Sequence, residues 1–378
     1  MSSTPLTLHA GPHDRLHTPV AWPWPEMPAG GGLVDDATGR AVPCQWHDGH
    51  LHFIVDRLAA GTMRRYTFDP AKSMPRSRGV RMKVDETAQT LDVTAGGKPM
   101  TTYRYATRWA RPHFYPVFGP GGVHMTRHFP MRDDVSGESK DHVHHRGLWV
   151  AYGDVNGTEN WVEEPGHGWQ THCEMADVIS GPVFGQFTQA LDWENSERNR
   201  DLQETRTVRV YRPGRNAHLI DLTVALHAVD GDVRFGDTKE GGICSFRVPT
   251  PMDGDKAGRI ENSYGGVGEQ ETWGKSAHWC DYSGPLEGKV MGVAIFDHPF
   301  NLRHPTPWHV RNYGLMTANP FGQSYYQSSL LKDGSYTLHQ GDTLTFRYRV
   351  YLHRGDTRTA RVGQRYHDYI NPPLPPEA

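Results

Sequence analysis

Three imidazoles, a guanidinium and an indole fall within the nine residues Asp141-His142-Val143-His144-His145-Arg146-Gly147-Leu148-Trp149. A second run, Asp297-His298-Pro299-Phe300-Asn301-Leu302-Arg303-His304-Pro305-Thr306-Pro307-Trp308-His309, repeats these residue types downstream. Imidazole titrates near neutrality and, when neutral, ligates metals. Two such runs are expected to form two walls of one polar site. On an extended backbone, i, i+2 spacing puts His142 and His144 on one face, and His145 with Trp149 on the other. His142 and His144 are therefore candidate ligands for a divalent metal, completed by Asp154, Glu159 or a residue of the second run. One of the three histidines is equally a candidate general acid or base.

Between the two runs lie further polar segments. Gly153-Asp154-Val155-Asn156-Gly157 is a turn with Asn-Gly as its strongest signal, and its Asp154 and Asn156, with Arg146 and Trp149, suit a polyhydroxylated ligand. Lys239-Glu240-Gly241-Gly242 fits a core strand poorly, because both side chains need solvent or partners. At a cleft mouth the pair supplies a charge clamp and a carboxylate. In the second run, prolines fix the backbone, and Arg303 can fork onto a carboxylate, a phosphate or vicinal hydroxyls. The resulting expectation assigns proton transfer to His145 and His298, with Glu240 as partner carboxylate. Lys239 and Arg303 hold oxygens that gain negative charge. Arg146, Trp149, Asp154, Asn156, His304, Trp308, His309 and Asn319 line the substrate.

The elements that must position these groups read as strands. Leu344–Leu352, Thr207–Arg212 and Leu219–Leu226 alternate apolar and polar residues, and Val80–Val84 followed by Thr90–Thr94 reads as a hairpin. Charged side chains along one face of 344–352 predict an antiparallel sheet with one wet face. One helix is expected, over about 357–369, capped by Asp356 and stopped by Asn371-Pro372-Pro373. The fold class is therefore all-β: a large antiparallel, supersandwich-like β-sandwich with few helices, one at the C-terminus. Residues 1–378 read as one domain, with 1–75 as a small leading β layer.

Composition bounds the function. A 378-residue chain with 36% hydrophobic and 22% charged residues and net charge -3 has no electrostatic pull towards nucleic acid or anionic membrane. No uncharged apolar run approaches the ~20 residues of a membrane helix, and no signal peptide is legible, so a cytoplasmic protein is expected. Cys44, Cys173, Cys244 and Cys280 are isolated and read as reduced, buried thiols. Phosphate-loop, H-E-x-x-H and G-x-S-x-G motifs are absent, and Gly265-Gly266-Val267-Gly268 lacks a dinucleotide context.

D-H-V-H-H-R-G-L-W…G-D-V-N-G at 141–157, T-K-E-G at 238–241, W-C-D-Y-S-G at 279–284 and D-H-P-x-N-x-R-H-P-T-P-W-H-V-R-x-Y-G at 297–314 together resemble a soluble bacterial family often labelled "methane oxygenase PmoA". The resemblance spans roughly 100–325, and Val143 stands where a proline is more typical. Methane monooxygenase subunits of that name are embedded in membranes, whereas this chain has no apolar segment able to span one. The resemblance implies a β-sandwich that accompanies sugar oxidoreductases and isomerases in catabolic gene sets. The leading expectation is therefore a carbohydrate-active enzyme that uses acid–base chemistry for hydrolysis, β-elimination or epimerisation of a sugar or keto-sugar glycoside. A metal-dependent oxygenase or hydrolase built on His142 and His144 is one alternative. A non-catalytic sugar-binding protein is the other.

Overall fold

The computed structural model describes residues 3–329 and 331–373. Its body is two eight-stranded antiparallel sheets. The front sheet runs Trp308–Arg311, Leu315–Ala318, Gly241–Arg247, Leu148–Tyr152, His113–Val117, Lys98–Arg104, Thr90–Ala95 and Val80–Asp85 in spatial order. The back sheet runs Trp169–Ile179, Phe184–Glu194, Arg200–Tyr211, Ala217–His227, Thr343–Arg354, Lys289–Asp297, Trp279–Leu286 and Arg259–Asn262. Inward residues such as Val117, Val150 and Phe246 share one core with Phe187, Val208 and Val224 of the back sheet. The chain is all-β, as its period-two patterning dictates. Among the described residues no helix is long and apolar enough to cross a membrane.

The expected hairpin is present, with Val80–Asp85 paired to Thr90–Ala95. The three alternating segments lie in adjacent long strands of the back sheet. Residues 4–69 build two small sheets with a core of their own, including Leu6, Leu33, Phe53 and Phe68. Polar contacts tie this unit to the sandwich. Arg15 Nη1 donates to Asp368 Oδ1 at 3.2 Å, and Gln45 Oε1 accepts from the Val183 and Phe184 amides.

Three local expectations are corrected. The C-terminal helix starts at Val362, because Asp356 Oδ1 caps a separate turn through the Thr359 amide and Arg361 is left-handed at φ 53°. The outer face of Thr343–Arg354 is only partly wet. The helix Val362–Ile370 and the leading unit cover it, burying Arg349, Tyr351 and His353. There Arg349 forks onto Asp221, and His353 Nε2 meets Asp281 Oδ2 at 2.7 Å. Cys173 is exposed on the edge strand Trp169–Ile179, unlike the other three cysteines.

Alternation also carries charge into the core. Glu204 and Arg206 face inward beside Leu202 and Val208, both fully buried. Arg206 donates to both Glu204 oxygens, to Tyr103 Oη at 3.0 Å and to Gln170 Oε1 at 3.1 Å. Trp193 Nε1 donates to Glu204 Oε2 at 2.7 Å. Removing one member leaves a buried, uncompensated charge. Glu204→Ala should therefore cost ~3–5 kcal/mol in urea unfolding, and a loss within ~0.5 kcal/mol would contradict this account.

Burial pushes His52, His113 and His124 down to about 3, and His218 to about 4. Each is neutral in the fold but takes a proton on unfolding below pH ~6.5. The native state is thus unpenalised above that pH and loses stability as pH falls, by at most ~1.4 kcal/mol per pH unit for each group. The urea midpoint should be lower at pH 5 than at pH 7. Equal midpoints would mean that water reaches these rings.

Candidate functional site

The outward residues of the front sheet align in a transverse row. Strand register sets His309 opposite Thr317, Thr317 opposite Ser245, Ser245 opposite Trp149 and Trp149 opposite His113. The loop 141–147 folds over this row. Gly147 permits the approach: its φ is 72°, and a Cβ there would lie 2.3 Å from the Phe114 carbonyl oxygen.

That loop is not extended. His142 is left-handed at φ 46°, and the His145 amide donates back to the His142 carbonyl at 3.0 Å. The turn gathers all three imidazoles instead of dividing them between two faces. His142 stacks on His145 with centroids 4.7 Å apart, and His144 meets His145 edge-on at 4.6 Å. His145 also stacks on Trp149 at 5.3 Å, and Tyr313 lies against His142 at 4.6 Å and His145 at 6.2 Å.

Asp141 anchors the cluster. Its carboxylate takes hydrogen bonds from Arg127 Nη1 and Arg247 Nη2, whose side chains are fully buried, and lies 3.0 Å from His142 Nδ1. Burial opposes its ionisation. The hydrogen bond from His142 and the charges of Arg247 and Arg127 prevail, holding the carboxyl well below its usual range. His142, exposed at its outer edge, is thus an imidazole oriented by a carboxylate, the arrangement a general base requires.

His145 has a different state. Arg247 Nη1 lies 2.9 Å from its Nδ1, and because a guanidinium only donates, Nδ1 accepts and the proton sits on Nε2. Burial, then the neighbouring His144 and Arg247, keep this ring neutral by lowering its pKa far below 6.5. His144 is pushed down to about 3 by burial and by Arg111. Of the three imidazoles, His142 is the one that is both exposed and set against a carboxylate.

Lys239 and Glu240 form an ion pair beside this cluster, both about one-third exposed. Asn319 places them by donating to the Thr238 and Lys239 carbonyls, and its own oxygen accepts from the Phe321 and Gly322 amides. Asn319 thus positions the loop and has no free group for a ligand. The pair acts electrostatically on both flanks. Burial first, and the Glu240 and Asp141 charges after it, push the Tyr313 hydroxyl up to about 12 against Arg311 and Arg247. His309, buried in the row, is lowered to about 4 by burial, with Glu240 opposing and Lys239 reinforcing the shift.

Other expected contacts are engaged elsewhere. Arg146 is held bidentately by Glu163 and lies over Trp109. Trp149 is buried as the floor under His145. Asp154 caps its own turn through the Gly157 amide, Asn156 accepts from the Arg234 amide, and Glu159 accepts from the Trp161 and Val162 amides. These three do not join His142 and His144. Among the described residues no three His, Cys, Asp or Glu side chains are placed to hold one metal.

The second run does not form an opposing wall. The back-sheet strand Lys289–Asp297 is followed in the chain by the front-sheet strand Trp308–Arg311, so 298–307 passes from one sheet to the other. His298 packs on Tyr369 and Phe300 at the back. His304 Nδ1 is 2.7 Å from Asp297 Oδ2, and its Nε2 is 3.1 Å from His278. Arg303 donates to the Pro320, Gly334 and Ser335 carbonyls, so it clamps backbone instead of substrate. Trp308 points into the core and donates to the Ala277 carbonyl at 2.9 Å. Of this run only His309 reaches the front site.

Sequence reasoning missed Arg127 and Arg247, whereas Tyr313-Gly314-Leu315 read as a loop rim. Arg247, a lone charge among Ile243, Cys244, Phe246 and Val248, was a findable signal for a charged outward position. Arg127 carried none, since it meets the cluster only through folding.

Residues 90–367 match the model of a family of unknown function, DUF6807, and the match takes in the back sheet, the front sheet apart from Val80–Asp85, and every residue of the site just described. No curated protein matches the chain. The chain belongs to the DUF6807 family.

Proposed function

We propose that the protein is a carbohydrate-active enzyme that moves protons on a sugar or keto-sugar. The observation that carries the acid–base part is His142, partly exposed and oriented by an Asp141 carboxylate that two buried arginines keep ionised. His142 Nε2 removes a proton from the substrate, and Glu240, whose charge acts on Tyr313 beside His142, is the partner carboxylate. Lys239 faces an oxygen that gains negative charge. Neutral His145 supports His142 by stacking and takes no proton itself. The carbohydrate class is supported by the motif resemblance at 141–157 and 297–314. The left-handed backbone at His142 fits this role, since strain of this kind collects where side-chain direction matters.

Incubation with sugars, glycosides and 3-keto-sugars in deuterated water, read by mass spectrometry, tests the proposal. Deuterium incorporation or bond cleavage is expected with at least one of them. His142→Ala and Glu240→Gln should each lower turnover by ~10²-fold or more with an unchanged circular dichroism spectrum. Full activity in both variants, or no conversion of any compound by the native protein, would refute the assignment.

His145→Gln separates the two histidine roles. It keeps an acceptor for Arg247 and should lower turnover less than His142→Ala does. The reverse order would return the base to His145.

A further inference from the structure

A groove of about 1050 Å³ lies away from this site, between the leading unit, the outer face of the back sheet and the start of the C-terminal helix. None of its lining residues belongs to the front sheet. Leu219, Phe296 and Tyr351 form an apolar floor. Arg215, Lys289 and Arg354 line the groove from three segments that hydrogen bonds draw together. The Arg354 amide donates to the Asn216 carbonyl at 3.2 Å, and the Gly355 amide to the Val290 carbonyl at 2.8 Å.

The other charges of the groove are matched. Arg349 pairs with Asp221, Arg365 with Asp368 at 2.9 Å, His17 with Asp56 at 2.9 Å and Arg361 with Asp14 at 3.7 Å. Among the described residues no carboxylate pairs with Arg215, Lys289 or Arg354. Arg365, nine-tenths buried and lining the same groove, also keeps its Nε without a hydrogen-bond partner. Arg215, Lys289 and Arg354 lack a counter-charge among the described residues, and an anion bound in the groove would supply it. The volume is that of a small-molecule site, and a few polar groups over an apolar floor are its usual lining.

We propose that this groove is a second ligand site, taking a small organic molecule that bears a carboxylate or phosphate group. The anionic group meets Arg215, Lys289 and Arg354, and the body of the molecule covers Phe296 and Tyr351. Because the groove lies between the leading unit and the sandwich, the ligand also holds these two parts together. This assignment does not depend on the acid–base reading of the front sheet.

Isothermal titration of the full chain at low ionic strength with inorganic phosphate, glucose 6-phosphate, glucuronate and neutral glucose tests it. Saturable one-to-one binding of the sugar phosphate or of glucuronate is expected, weaker in high salt, with no comparable binding of glucose. Inorganic phosphate separates recognition of the anion alone from recognition of the whole molecule. Arg354→Ala with Lys289→Gln should weaken binding about tenfold or more, and His142→Ala should leave it unchanged. Should the double variant fail to fold, Lys289→Gln and Arg215→Gln separately must each weaken binding. The proposal is overturned if no anion binds saturably or if affinity survives these substitutions. Loss of binding in His142→Ala would also overturn it, by placing the anion in the front site.

Discussion

A single carboxylate, Asp141, lies between the guanidinium groups of Arg127 and Arg247, and the functional face depends on that contact. Two buried guanidinium groups side by side would be strongly unfavourable without a shared counter-charge. Asp141 provides it, and in doing so fixes three separate pieces of chain: the loop carrying Arg127, the strand Gly241–Arg247 and the turn at His142. The same contact orients His142 through its Nδ1. Arg247 then sets the tautomer of His145 from the other side. Both histidines owe their orientation to one electrostatic arrangement.

That arrangement needs a rigid support, and β-alternation supplies it. Each front-sheet strand gives one set of side chains to the shared core and the other to the functional face. Phe246 packs inward while its neighbours Ser245 and Arg247 face the site. The back sheet uses its outer face differently, covering much of it with the C-terminal helix and the leading unit. Because one face is covered and the other carries polar loops, the histidine cluster and the groove fall on opposite sides of the sandwich.

Much of this was legible beforehand. Alternation at 207–212, 219–226 and 344–352 is a local property, so those strands are where the pattern put them. The density of imidazole at 141–149 likewise marked where histidines cluster on the front face, and the awkward Lys239-Glu240 pair is a partly exposed ion pair there. The reading failed where direction mattered. It put His142 and His145 on opposite faces because it assumed extended backbone, and φ 46° at His142 removes that assumption. It also treated 297–309 as one wall, although that segment passes from the back sheet to the front and leaves His298 and His304 behind.

Residue type and spacing by themselves determined the all-β class, the long strands and the segments rich in titratable groups, because these follow from local periodicity and chemistry. Only the tertiary structure decided that His142 is the oriented imidazole, that His145 is neutral, and that Arg303, Asn319 and Trp308 serve the scaffold. Those roles depend on contacts between residues far apart in the chain, such as Arg247 with His145 and Asn319 with the Lys239 carbonyl. Hydrogen bonds act over a few ångströms and ion pairs little further. Sequence distance carries no information about either until the sheets have closed.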